Sequence, residues 1–138
     1  MLSAEVAHYL AAQALGLVVG TNLFSAPWPD TAPDAAACVI VYDGDPPSHA
    51  AGASLAAPVF ETLRFKVMVR GARDAVAVAE ALADGIYKKL DGLAEGQLGS
   101  PAVRYLLVRA MGGVEFLRLD TNSRPIYHCD FEARKERS

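Results

Sequence analysis

The side chains that could do chemistry are scattered along this 138-residue sequence. His8, His49 and His128 stand far apart and fall on three different kinds of element. No His-x-x-x-His or His-Glu spacing therefore offers a metal two ligands on one face. His128 adjoins Cys129, but neighbouring strand residues point to opposite faces, so they cannot serve each other as base and nucleophile. Asp43 and Asp45 place two carboxylates beside Pro46 and Pro47; a hard cation needs a fuller oxygen cage. Asp120 and Arg124 bracket a polar turn, in which the aspartate is expected to hold its own backbone and the arginine to bridge to it. The phosphate-cradling patterns Gly-x-x-x-x-Gly-Lys-Ser/Thr and Gly-x-Gly-x-x-Gly do not occur, nor does the Gly-x-Ser-x-Gly elbow. Cys38 and Cys129 lie in apolar runs without zinc or Cys-x-x-Cys spacing, and read as small buried hydrophobes of a reducing compartment. No metal or cofactor is expected. A small cytoplasmic enzyme or ligand-binding domain would need a closed cleft, for instance one joining His128, Asp130 and Arg109.

The elements that must position these residues centre on Glu61–Leu93. Leu63, Phe65, Val67 and Val69 alternate with Thr62, Arg64, Lys66, Met68 and Arg70, which predicts a strand with one buried face. Gly71 breaks the run. Ala75, Ala79, Leu82, Ile86, Leu90 and Leu93 then share a helical stripe, with Asp74 as the expected N-cap and Gly92 past the end. The strand's apolar face and this stripe should cover each other. An N-terminal helix is expected from about Ser3 to Leu15, with Val6, Leu10, Ala14 and Leu17 on one face. Residues 20–35 read as a loop, since Pro27, Pro29 and Pro33 exclude a regular element. Its Leu23, Phe24 and Trp28 are expected to pack back over the core edge. Ala36–Tyr42 reads as a buried strand stopped by Asp43-Gly44-Asp45-Pro46-Pro47. Asp43–Val59 is expected to be an extended arm or loop, ordered by another chain. Further strands are expected over Ala102–Ala110, Glu115–Leu119 and Ile126–Ala133. The last strand puts Tyr127, Cys129, Phe131 and Ala133 on one face, and residues 134–138 form a frayed tail. The expected architecture is a single α+β domain over residues 1–138, a mostly antiparallel sheet of four to five strands with two helices packed on it.

Hydrophobic residues make up 52% of the chain and charged residues 21%, a balance that excludes disorder. A net charge of −3 argues against a dedicated nucleic-acid binder. No apolar run reaches the roughly 18–20 residues of a membrane span, and the N-terminus lacks a cationic leader. The outward face of the central strand carries Arg64, Lys66 and Arg70, with Arg104 and Arg109 on a later strand. That strip reads either as a solvated sheet face or as a subunit interface pairing with Asp43 and Asp45.

Three stretches taken together resemble the tail terminator family of long-tailed bacteriophages, also labelled minor capsid or tail-completion proteins. They are Val39-Ile40-Val41-Tyr42-Asp43-Gly44-Asp45-Pro46-Pro47; Leu63–Gly71 with the helix ending Ile86-Tyr87-Lys88-Lys89-Leu90; and Asp120-Thr121-Asn122-Ser123-Arg124-Pro125 with the strand after it. The family pattern usually has a glycine before the arginine of the third stretch, where this chain has Ser123. The resemblance implies a structural virion protein without catalysis, assembled in the host cytoplasm. Such a protein forms a ring of six copies on the head-proximal end of the tail tube. It ends tube polymerisation and offers the surface that joins the head. Its implied partners are further copies of itself, the tail tube protein, a head-side neck or connector protein, and genomic DNA passing through the lumen without specific binding. No membrane is involved. An acidic lumen would keep passing phosphates from sticking. Asp43, Asp45, Arg64, Lys66 and Arg70 are the subunit-interface candidates; Asp120, Asn122 and Arg124 are the tube- or head-side candidates. A head-completion protein or other neck adaptor is the alternative.

Overall fold

The computed structural model describes residues 2–49, 59–94 and 104–137. In chain order the elements are α1 (Leu2–Ala11), β1 (Leu23–Phe24), β2 (Ala36–His49), β3 (Val59–Arg70), α2 (Val76–Leu90), β4 (Leu93–Ala94), β5 (Arg104–Ala110), β6 (Glu115–Leu119) and β7 (Pro125–Arg137). The strands form one sheet in the order β1-β2-β3-β7-β5-β4, with β6 also pairing β7. Among the described residues only β1–β2 is parallel; the other strand pairs run antiparallel. The fold is therefore α+β with a mostly antiparallel sheet, as the alternation of elements implied.

The centre of the sheet is the β3–β7 pair. Both strands alternate, and their register sets Phe65 opposite Phe131 and Val67 opposite Cys129, so the two apolar rows share a face. The Phe65 and Phe131 rings stack with centroids 5.3 Å apart, and the Tyr87 ring of α2 lies 6.5 Å from Phe131. α2 buries Ala79, Ala83, Ile86 and Leu90 here; α1 buries Leu2, Val6, Ala7 and Leu10. Both helices feed one core cluster on the same side of the sheet. Each large side chain buried there contributes about 1.5–3 kcal/mol. β7 shares its second edge between two partners, β6 along residues 125–128 and β5 along 131–136.

Gly71 makes the corner from β3 to α2. A Cβ there would stand 2.8 Å from the Ala79 Cβ and 3.1 Å from the Pro125 Cγ, so only glycine allows the close approach. Its N–H donates to Pro125 O at 2.9 Å, and the Asp74 N–H donates to Ser123 O at 3.1 Å. That docking corrects the expected N-cap. Asp74 is drawn into a left-handed turn (φ 59°), and Ala75 holds the cap position without a side-chain bond. At the other end Gly92 has φ 80°, the left-handed stop expected of it.

Three other boundaries differ from the sequence pattern. α1 ends at Ala11, a turn early, because the chain passes through left-handed Ala14 and Gly16 (φ 57° and 75°); Ala14 is exposed, not part of the core face. β2 continues to His49 through the residues expected to stop it. Pairing with β3 carries it, and the ladder shifts register between Val41 and Asp43 and again between Asp45 and Ser48. Pro46 and Pro47 fall in the second shift, where no ladder donor is required of them. Residues 50–58 of the expected arm lie outside the described residues. The charged tail, expected to fray, continues β7 to Arg137, paired with β3 and β5.

Cys38 and Cys129 are free and buried. Burial pushes their thiols up to about 11 and about 12 respectively, which keeps both protonated and unreactive near neutral pH.

Candidate functional site

The sheet face turned away from the helices carries a ladder of opposite charges. Register sets Arg64 across from Glu132 and Lys66 across from Asp130. Glu132 is the hinge of the ladder, with Arg64 Nε at 3.7 Å and Arg109 Nη2 at 3.3 Å from its two oxygens. Lys66 Nζ sits 5.7 Å from the centroid of the Tyr42 ring. The basic strip read from β3 is therefore matched inside the subunit by acids of β7. Sequence reasoning did not single out Glu132, and named Asp130 only for the enzyme reading. Their signal was legible: β3 alternates with basic residues and the last strand with acidic ones, as two strands paired antiparallel would. Asp43 and Asp45 lie opposite Arg64 and Thr62 in the β2–β3 register, but their side chains lie outside the described residues.

Arg70 departs from its neighbours. It is 6% exposed because the proline loop covers it on the face it shares with Arg64 and Lys66. Its Nε and Nη2 donate to the carbonyls of Asp34 and Pro33, both at 2.9 Å, and its guanidinium stacks 4.7 Å from the Trp28 ring. Of residues 20–35, expected to be a loop throughout, Leu23–Phe24 instead form β1 by pairing with β2. The part around Trp28 packs back as expected, fastened by a buried arginine and not by apolar contact alone. Beneath it Ala36, Cys38 and Ile126 are buried. Burial, then the nearby Arg124 charge, pull the Arg70 guanidinium below its ordinary range.

The Asp120–Arg124 turn is tied to the same loop. Asp120 Oδ1 accepts from the backbone N–H groups of Asn122 and Arg124 at 2.9 and 3.0 Å, and its Oδ2 accepts from Arg124 Nε at 2.7 Å. Arg124 Nη1 reaches Asp34 Oδ1 at 3.0 Å. The aspartate holds its own backbone and the arginine bridges to it, as the turn chemistry indicated. Ser123 has φ 58°, in the region that favours glycine. The exposed apex, Thr121 and Asn122, lines a shallow polar depression with Asp34, Arg73, Ser123 and Arg124.

Partial burial pushes the Asp120 carboxyl up, but the backbone and guanidinium donors outweigh it and hold the group below the usual carboxylate range. A depressed carboxylate stabilises the fold fully above its unfolded value of about 4 and stops doing so as pH falls through its folded value. Asp120→Asn should lower the melting temperature by a few degrees between pH 6 and 8. The gap to the parent should close progressively below about pH 4. Thermal melts across that range check it; a gap independent of pH would contradict the bonding described.

His128 lies between two carboxylates, Glu115 at 3.4 Å and Asp130 at 3.5 Å. Arg109 instead meets Glu132, so the three groups that an enzyme reading required are not joined in a closed cleft. Among the described residues no group of three His, Cys, Asp or Glu side chains is arranged to hold a metal ion. No helix among them is long and apolar enough to cross a membrane.

A search of curated proteins finds no match. Among solved structures, a chain from one titled "Virion of native gene transfer agent (GTA) particle" superposes with a TM-score of 0.69 at 23% identity, covering 99% of this chain and 95% of that one. At this identity the likeness establishes the fold. The family described as bacteriophage tail terminator protein matches residues 10–137, which take in both central strands, the charged ladder and the clamped turn. On that match the chain belongs to the bacteriophage tail terminator family.

Proposed function

We propose that this chain is the subunit of a ring, six copies around, that caps the head-proximal end of the tail tube, stops its growth and presents the surface that joins the head. The family match over residues 10–137 carries the reading, since it establishes a structural, tail-related role. In the proposal the protein performs no catalysis and resides in the virion neck, where DNA passes through the lumen without specific binding. Arg64 and Lys66, with Asp43 and Asp45, remain the subunit-contact candidates. Arg70 serves the interface indirectly, by holding the loop beside the clamped turn. Asp120 and Arg124 shape that turn, and the exposed Asn122 at its apex is the group offered to tube or head.

Light scattering across a concentration series, with and without tail tube protein, tests the reading. The expected result is a six-fold particle on the tubes, and tubes that stop at a fixed length. A protein that ignores tubes at every concentration, or binds only a head-side connector, overturns it.

A further inference from the structure

A trough runs between α2 and β6 on the helix side of the sheet. Ala77 and Ala81 of α2, Val114 just before β6, and Tyr127 line it as an open depression of about 350 Å³. Two alanines four residues apart leave the helix surface low, which is what opens the space. Phe116, 53% exposed, stands edge-on to Tyr127 at 5.4 Å and continues the apolar surface. The rim is acidic: Glu80 accepts from the Tyr127 hydroxyl, and Asp84 holds Lys88 at 2.9 Å. That Lys88 pair is exposed, so it contributes little and can be exchanged for another cation.

The opposite face of the same sheet carries the converse surface. Leu107, 43% exposed, lies in a shallow depression with Arg109, Arg134 and Glu132. Arg109 keeps much of its side chain in solvent despite its bond to Glu132. One surface is thus an apolar centre with an acidic rim, the other an apolar centre flanked by arginines. Both belong to one chain, on opposite faces of one sheet.

We infer that the α2–β6 trough receives the Leu107, Arg109 and Arg134 surface of a second copy, with Leu107 over Tyr127 and the two arginines meeting Glu80 and Asp84. Charge complementarity selects a second copy as the occupant, because each half of the contact supplies what the other lacks. Surfaces on opposite faces give a heterologous, head-to-tail contact, which closes only by rotation into a ring. The inference rests on the ring reading above and adds a second subunit contact to the Arg64, Lys66, Asp43 and Asp45 candidates given there.

Charge exchange tests it in the presence of tail tubes. Glu80→Lys with Asp84→Lys makes both surfaces basic; Arg109→Glu with Arg134→Glu makes both acidic. Each double variant, confirmed folded by its melting curve, should self-associate about a hundredfold more weakly than the parent. An equal mixture should recover the ring, because every contact in an alternating ring is again between opposite charges. Ala81→Trp, which fills the trough without changing charge, should also block assembly. Rings from the parent together with unimpaired rings from both double variants would overturn the contact and leave the ring reading standing. Absence of rings from the parent would overturn the ring reading and the contact with it. Variants that form normal rings but lose the tube would show that the trough serves another protein, and would also overturn the inference.

Discussion

Arg70→Ala should cost about 2–3 kcal/mol, more than a surface arginine would, because the guanidinium is buried and makes two charge-assisted bonds. The variant loses both carbonyl contacts and the stack on Trp28 together, and leaves the Pro33 and Asp34 carbonyls without their donor. The melting temperature should fall by roughly 5–10 °C. Trp28 is the chain's one tryptophan, so its fluorescence reports on the loop directly. Emission should shift to the red and acrylamide quenching should rise, while the far-ultraviolet circular dichroism keeps the parent's shape at low temperature. Arg70→Lys keeps the charge but neither the fork nor the planar stack, and should recover only part of the loss. An unchanged tryptophan spectrum in Arg70→Ala would show that the loop is held by something else. A knock-on effect is expected at the turn, because Arg124 is anchored to Asp34 on the same loop.

Phe131→Ala should be the most damaging single change, at about 3–5 kcal/mol. Phe131 is fully buried, stacks on Phe65 and lies beside Tyr87, so it joins the two central strands to α2. Truncation removes the transfer free energy of the ring and leaves a cavity that paired strands on both sides cannot collapse to fill. Against a total of about 5–15 kcal/mol, much of the stability is lost. Phe131→Leu, which refills part of the space, should cost about 1–2 kcal/mol. Urea unfolding followed by circular dichroism measures both. A midpoint for Phe131→Ala close to that of the parent would mean that the strand register described is wrong.

Fold class, the faces of the central strand and the last strand, the buried thiols and the self-bonded Asp120 turn were legible in the residue pattern alone. These rest on contacts between residues a few positions apart, where period and turn chemistry act locally. Boundaries set by distant partners were not legible. β2 runs through Pro46 and Pro47, and β7 through a charged tail, because paired neighbours continue the ladder whatever the local propensity. Asp74 lost its cap role to a bond with Ser123, almost fifty positions away in the chain. Arg70 shows the difference most clearly. Its alternation places it on the same face as Arg64 and Lys66, and that face is correct. Only the tertiary structure brings the Pro33 and Asp34 carbonyls and the Trp28 ring across to it. A side chain's face follows from the period of its own strand; whether that face meets water, a loop or another subunit is decided by which distant segment covers it.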